Sequence, residues 1–425
     1  MENLFQLFYQ TSGVSTDTRK IKQDSLYIAL KGENFDGNTF ADKAIELGAK
    51  YAIVDNKDFV NESTIFHVDD SLVFLQKLSN YHRKRFDIPL IGITGSNGKT
   101  TSKELLNAVL SKKYNVLCTE GNFNNHIGVP LTLLNLTEDH EIAIIEMGAN
   151  KPKDIEELCL IAEPNYGIIT NVGKAHLQGF LSFEGVIETK SELYSFIRQT
   201  EGKIVVNGDD EILTNKAISL FLKKISYGTN SENQVQGDLV KLNPFVELIW
   251  KKEGYTSPII KTNLVGKYNF LNFLAAVTFG TIFNVDNEKI NEAISNYIPT
   301  NNRSQVQKTK ENTLIIDCYN ANPSSMQLAL ESFKEIQHPN KLAILGDMFE
   351  LGLESDAEHK KIIDYCIENE IQFLTVGDFF QKHNSFGYKN TKEAIEFINS
   401  ANIKSSLILL KGSRGIALEK VIAFL

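Results

Sequence analysis

Ile91-Gly92-Ile93-Thr94-Gly95-Ser96-Asn97-Gly98-Lys99-Thr100-Thr101 decides how the rest of this 425-residue chain is read. An apolar run over 90–94 leads into a glycine-rich turn, and a helical pattern over 99–111 leaves it. Strand, glycine turn and helix in that order form the setting of a phosphate-binding loop. Glycines let backbone N–H groups approach phosphate oxygens, and the start of the helix adds positive potential. Lys99 then suits the β/γ-phosphates of a nucleotide, and the Thr100 hydroxyl suits Mg²⁺. Ile93 stands where the full GxxxxGK[ST] pattern has its first glycine. The bland reading is a plain glycine turn, and the coincidence of strand, Gly98-Lys99-Thr100 and helix outweighs it.

Outward from the loop, short apolar runs at 116–119, 142–146, 167–171 and 203–207 alternate with helical patterns at 154–162 and 184–198. Continuous apolar strands separated by helices predict a parallel sheet covered on both faces, with ligands at its carboxyl edge. Glu146 ends one such strand, where a hard carboxylate suits Mg²⁺. His176 falls just past the next strand, and Lys190 lies on the helix that follows. Taken alone, these two read as a loop histidine and a solvated lysine.

Residues 1–87 hold apolar runs at 26–30 and 51–54, a glycine- and asparagine-rich turn at 31–38 and a helix near 71–85, a small α/β domain. Residues 226–262 are turn-rich and β-like, an insertion or antiparallel edge, and a helix follows over 269–283. Pro299-Thr300-Asn301-Asn302 reads as a linker. Strands at 313–317, 342–345, 373–376 and 407–410 then alternate with helices. The expected fold is α/β in three domains: a small N-terminal α/β domain (1–87), a central P-loop parallel-sheet ATPase domain (88–298) and a C-terminal Rossmann-like domain (299–425). Length alone suggests about three domains as well.

Composition narrows the function. Lys+Arg total 44 and Asp+Glu 53, a net charge of −9. With no basic block, that balance speaks against binding nucleic acid or anionic membrane. Cys118, Cys159, Cys318 and Cys366 show no CxxC spacing, which excludes a disulfide framework or structural zinc site and fits a reducing compartment. Met1-Glu2-Asn3-Leu4-Phe5-Gln6 has no basic segment, and no apolar run reaches about 18 residues. The expected protein is cytoplasmic, without membrane insertion.

These segments together resemble the Mur ligases of bacterial cell-wall synthesis, three-domain ATP-dependent amide-bond formers, over essentially the whole chain. Thr94-Gly95-Ser96-Asn97-Gly98-Lys99-Thr100 is similar to that family's own phosphate loop, which accounts for the missing first glycine. The resemblance implies that these residues and Thr101 bind ATP. It also implies that Glu146, His176 and Lys190 are the magnesium-site glutamate, histidine and lysine. In the family that lysine is commonly carbamylated, which resolves a difficulty, since an ammonium would repel Mg²⁺. Two Mg²⁺ ions are expected, one on Thr100 and Glu146, the other on His176 and carbamylated Lys190. Lys99, His176 and Lys190 form the implied catalytic set.

Gly266-Lys267-Tyr268-Asn269-Phe270-Leu271-Asn272 resembles the family's His-Asn-x-x-Asn adenine motif, with Tyr268 in place of the histidine. That leaves Asn269, whose amide can both donate to and accept from adenine, and Asn272. Arg303 and Asp317 match the linker arginine and third-domain aspartate that reach ATP.

Gly121-Asn122-Phe123-Asn124-Asn125-His126-Ile127-Gly128-Val129-Pro130 and Asp317-Cys318-Tyr319-Asn320-Ala321-Asn322-Pro323-Ser324-Ser325 resemble the branch of the family that adds D-alanyl-D-alanine to UDP-N-acetylmuramoyl-tripeptide. No Asp-Asn-Pro-Arg, the diaminopimelate-selecting motif of the preceding ligase, occurs. Ser15-Thr16-Asp17-Thr18-Arg19 and the turn containing Lys31 resemble the segments that bind the UDP end. The implied substrate contacts are Thr16, Asp17, Thr18, Arg19, Lys31, Asn122, Asn125, Asn320 and Asn322. Lys411 and Arg414, just past a third-domain strand, suit the dipeptide carboxylate. The expected partners are these small molecules and ATP, for a monomer in peptidoglycan synthesis. The rival readings are a related or folylpolyglutamate-type ligase adding a single amino acid, and a non-catalytic nucleotide-binding module. The tripeptide's third residue, meso-diaminopimelate or lysine, stays open.

Overall fold

The computed structural model describes every residue except Met1, Glu62, Ala175 and His176, and of Leu177 only the backbone. The expectation for His176 therefore lies outside the described residues. Packing divides the chain into two compact units, one of residues 1–92, 115–148 and 156–165, the other of 93–114, 149–155 and 166–425.

The first unit holds a parallel four-stranded sheet in the order Val14–Ser15, Leu26–Ile28, Tyr51–Val54, Ile65–His67. Alternation along the strands sorts its core onto two faces. Leu26, Ile28 and Ile53 join Phe5, Phe74 and Leu78, while Tyr27, Ala52 and Val54 join Ala41 and Ala44. The helix Ser71–Arg83 starts at Asp70, whose side chain accepts from the Val73 N–H. In the same unit Val116–Cys118 and Ile142–Glu146 pair in parallel, and every residue of Ile142–Glu146 is buried.

In the second unit Lys203–Asn207 pairs in parallel with both Tyr166–Ile169 and Lys223–Gly228. Val235–Lys241 continues that order, and Glu247–Lys252 turns back antiparallel to it, across a register shift between Leu239 and Lys241. This is the β-like antiparallel edge expected within 226–262. The helix Tyr268–Ile282 buries eleven of its residues and packs along the phosphate-loop helix Lys99–Leu110. A helix apolar on every side belongs in an interior.

A separate sheet follows in the order Gln305–Lys308, Thr313–Asp317, Leu407–Lys411, Lys341–Gly346, Phe373–Val376, parallel except for its first, antiparallel strand. Its two faces carry separate cores, one around Met326, Leu330 and Phe333, the other around Ile344, Ile408 and Leu410. The four-stranded sheet near the start, the strands between 90 and 261 and this last sheet make up the three-domain α/β architecture. Helix Pro323–Glu335 starts with a capping box, in which the Asn322 side chain accepts from Ser325 N–H and Ser325 reciprocates, with proline at its first position. Asn322→Ala is expected to lower the free energy of unfolding by about 1 kcal/mol in urea titrations, and Asn322→Ser to recover most of it.

Candidate functional site

The strand Leu90–Thr94 is wholly buried and delivers the chain into the phosphate loop. Helix Lys99–Leu110 then begins at Gly98, in the left-handed region at φ 78° and with no side-chain cap. Its first-turn N–H groups lack intrahelical acceptors, so they stay available to an anion. A side chain at Gly98 would meet Asn272 Oδ1 at 2.8 Å. At Gly95, where φ is 142°, a Cβ would lie 2.0 Å from Thr170 Oγ1.

The turn after Tyr166–Ile169 holds the loop in shape. Thr170 N–H donates to Thr94 O at 2.9 Å, and Thr170 Oγ1 to Asn97 O at 2.6 Å. Asn171 donates its amide to Asn97 O (2.9 Å) and accepts from Asn97 N–H at Oδ1 (3.1 Å). Ser96 Oγ donates to Gly173 O and accepts from Gly173 N–H, both at 2.9 Å. Lys99 folds back, its ammonium donating to Gly95 O at 2.6 Å and Ser96 O at 3.2 Å.

In the first unit, Glu146 is 1% exposed. Its Oε1 accepts from Asn124 Nδ2 at 2.8 Å, its N–H donates to Thr119 Oγ1 at 3.0 Å, and Oε2 is buried without a partner. A buried carboxylate oxygen left bare is costly unless something cationic meets it, so this donor fits Mg²⁺. Lys190, on the helix Phe183–Gln199, is 2% exposed and lies 5.3 Å from the Phe180 ring centroid. Burial, aided by the charge of Lys99, pushes its pKa well below the usual lysine value. No cluster of three or more His, Cys, Asp and Glu able to hold a metal occurs among the described residues.

The residues expected at the far end of ATP are largely spent on one another. Asn269 donates to Val265 O (2.7 Å) and Ser304 Oγ (3.0 Å) and accepts from Asn272 Nδ2 (2.9 Å). Asn272 Oδ1 accepts from Ser102 Oγ at 3.1 Å, and Tyr268 OH shares a hydrogen bond with Ser304 Oγ at 2.9 Å. Asn269 thus uses both amide hydrogens on Val265 and Ser304 and accepts one hydrogen bond at Oδ1. Asp317 accepts from Ser304 N–H at 3.3 Å and from Lys411 Nζ at 2.8 Å, and Lys411 also donates to Asn320 O. Lys411 is thus a buried partner of Asp317, not the open cation expected for a dipeptide carboxylate. Arg414 remains exposed. Asn322 Nδ2 donates to Asn97 Oδ1 at 2.8 Å, so the third-domain motif touches the phosphate loop directly.

In the first unit Asp17 and the largely exposed Arg19 form a bidentate pair, and the hydrogen bonds from Arg19 hold the Asp17 carboxyl down at about 2. Lys31 pairs with Asp55 at 2.8 Å. Thr16 and Thr18 are half-buried beside them. Asn125 Oδ1 accepts from the Ile127 and Gly128 N–H groups, holding the start of helix Gly128–Leu133, and Asn122 is exposed. Sequence reasoning missed Asn124, Thr170 and Asn171. For Asn124 a signal existed: parallel pairing of 116–118 with 142–146 brings the loop after the first strand to the end of the second.

Family models match along the chain: "Mur ligase family, catalytic domain" over residues 10–89, "Mur ligase middle domain" over 93–280 and "Mur ligase, glutamate ligase domain" over 302–414. The chain is 35% identical over 428 residues to the UDP-N-acetylmuramoyl-tripeptide–D-alanyl-D-alanine ligase of Bacillus subtilis (strain 168), covering 96% of this chain and 92% of that one. Among solved structures it is similar to MurF from Acinetobacter baumannii, with a TM-score of 0.89, 28% identity and coverage of 99% and 97%. It is also similar to MurF ligase from Thermotoga maritima in complex with ADP, with a TM-score of 0.85, 26% identity and coverage of 100% and 98%.

The crowding at Gly95 yields a test. Gly95→Ala is expected to weaken ADP binding, read by calorimetry, by about tenfold or more, because a Cβ there adds a clash to a strained φ.

Proposed function

The chain belongs to the Mur ligase family, and from that premise we propose how its residues carry out the reaction. It is an ATP-dependent amide-bond-forming ligase that joins D-alanyl-D-alanine to UDP-N-acetylmuramoyl-tripeptide. The observation that carries this reading is the bond from Asn322, in the segment typical of the dipeptide-adding branch, to Asn97 of the phosphate loop.

A carboxylate does not condense with an amine in water, because its oxygen is a poor leaving group. The tripeptide's terminal carboxylate oxygen attacks the γ-phosphorus of ATP, ADP leaves, and an acyl phosphate forms. The amine of D-alanyl-D-alanine attacks the acyl carbon, and the tetrahedral intermediate loses a proton and expels phosphate. The protein's part is mainly positioning and charge neutralisation. The first-turn N–H groups of helix Lys99–Leu110 and the Lys99 ammonium bind phosphate oxygens, with Lys99 exchanging the carbonyls of Gly95 and Ser96 for the nucleotide. Thr94, Ser96, Asn97 and Thr101 shape that cradle.

Thr100 and Glu146 would hold one Mg²⁺, and His176 with carbamylated Lys190 a second. When bound, Mg²⁺ supplies neutralisation of phosphate charge. The depressed pKa of Lys190 favours carbamylation, since the free amine is the form that attacks CO₂, losing a proton and leaving an anionic carbamate. Asn269 and Asn272 support the nucleotide by shaping the loop and linker, and Arg303 and Asp317 approach it from the linker and third domain. Residues 1–87 take the UDP end through Thr16, Asp17, Thr18, Arg19 and Lys31. Residues 88–298 take ATP, with Asn122 and Asn125 towards the muropeptide. Residues 299–425 take the dipeptide through Asn320, Asn322 and Arg414, with Lys411 keeping Asp317 in place.

Three measurements test this. Incubation with ATP, the UDP-muramoyl-tripeptide and candidate amines should yield product with D-alanyl-D-alanine, and ¹⁸O in the tripeptide carboxylate should appear in the phosphate; product with D-alanine alone would reject the assignment. Lys99→Ala should abolish measurable turnover, with the loss in kcat as well as kcat/KM. Enzyme equilibrated with ¹³C-bicarbonate should give a carbamate NMR resonance that Lys190→Ala lacks, and short carboxylic acids should partly restore that variant's activity.

A further inference from the structure

Two guanidinium groups converge on one aromatic ring. Arg303 Cζ stands 4.2 Å from the Tyr319 ring centroid and Arg414 Cζ stands 5.4 Å from it. Neither guanidinium makes a side-chain hydrogen bond or ion pair among the described residues, and Arg303 Nε is buried without a partner. The charge of the adjacent carboxylate, Asp317, is already paired with Lys411 at Oδ2, and its Oδ1 accepts from the Ser304 N–H. Like charges repel and a buried unpaired N–H is costly. The face of the Tyr319 ring offsets part of that cost. The arrangement is therefore held open for an anion, with the ring fixing where both cations wait.

We propose that Tyr319 is a positioning residue that couples Arg303 to Arg414, so that the cation approaching the triphosphate and the cation approaching the dipeptide carboxylate are placed by one ring. This rests on the ligase reading above. Asn320 and Asn322 follow Tyr319 in sequence, and Asn322 is tied to the phosphate loop at Asn97, so the ring that couples the pair sits on the segment that connects amine and nucleotide. Loss of either arginine leaves the ring, and hence the other arginine, less restrained.

Steady-state assays that vary ATP and D-alanyl-D-alanine separately test the coupling. Tyr319→Leu should raise both KM values about threefold to tenfold, and Tyr319→Phe, which keeps the ring, should bring both back to within about twofold of the parent. Arg414→Gln should raise KM for ATP as well as for the dipeptide. Parental KM values in Tyr319→Leu, or equal impairment in Tyr319→Phe, would overturn the proposal. Should Tyr319→Leu melt below the assay temperature, Arg414→Gln decides, and an unchanged KM for ATP sinks the idea. If the parent protein formed no product, the ligase reading would fail instead. Calorimetry with a non-hydrolysable ATP analogue would then read the coupling directly, with weaker binding in Arg414→Gln supporting it and equal binding overturning it.

Discussion

A loop that offers backbone N–H groups to a polyanion cannot use those groups to hold its own shape. The frame comes from its carbonyls, from the N–H groups of Ser96 and Asn97, which donate to Asn171, and from neighbouring side chains. Thr170 and Asn171 take the carbonyl of Asn97, Thr170 N–H takes that of Thr94, and Gly98 leaves the following helix uncapped. Asn272 packs where a Gly98 side chain would go, and Asn322 reaches Asn97 from the last sheet. Within the second unit a strand end, an interior helix and a helix cap all register on a few loop residues. Buried polar groups reward complete pairing and penalise gaps, so the chain from Ser102 through Asn272 and Asn269 to Ser304 stiffens the loop's surroundings as far as the linker.

Cations are distributed with the same economy. The chain as a whole is acidic, yet Lys99, Lys190, Arg303 and Arg414 lie in or beside the site segments. Asp317, the carboxylate that could quench the two arginines, is held by Lys411. Global charge governs association with large polyanions. It does not govern a site only a few residues across.

Much of this was legible in the chain. The phosphate loop and its flanking elements declare themselves because glycine spacing and apolar runs are local signals, and the strand Leu90–Thr94 and helix Asp154–Ala162 fall where the periodicity puts them. The sheet at the carboxyl end was readable for the same reason. What was not legible is which polar atom takes which partner. Asn269 has the chemistry to read a base, and Lys411 the charge to meet a carboxylate. Each is engaged by residues distant in sequence, Ser304 for one and Asp317 for the other. Nothing local distinguishes Asn124 from Asn122 and Asn125, because only strand pairing brings it to Glu146.

The posture of Lys99 has a bearing on turnover. Its ammonium donates to two carbonyls of the loop itself, those of Gly95 and Ser96. On the reading proposed above, nucleotide capture is an exchange of ligands around that nitrogen, with a net gain smaller than the contact with phosphate alone. The same exchange runs in reverse after reaction. On that same reading, a departing ADP leaves behind a cation with a resting place already built.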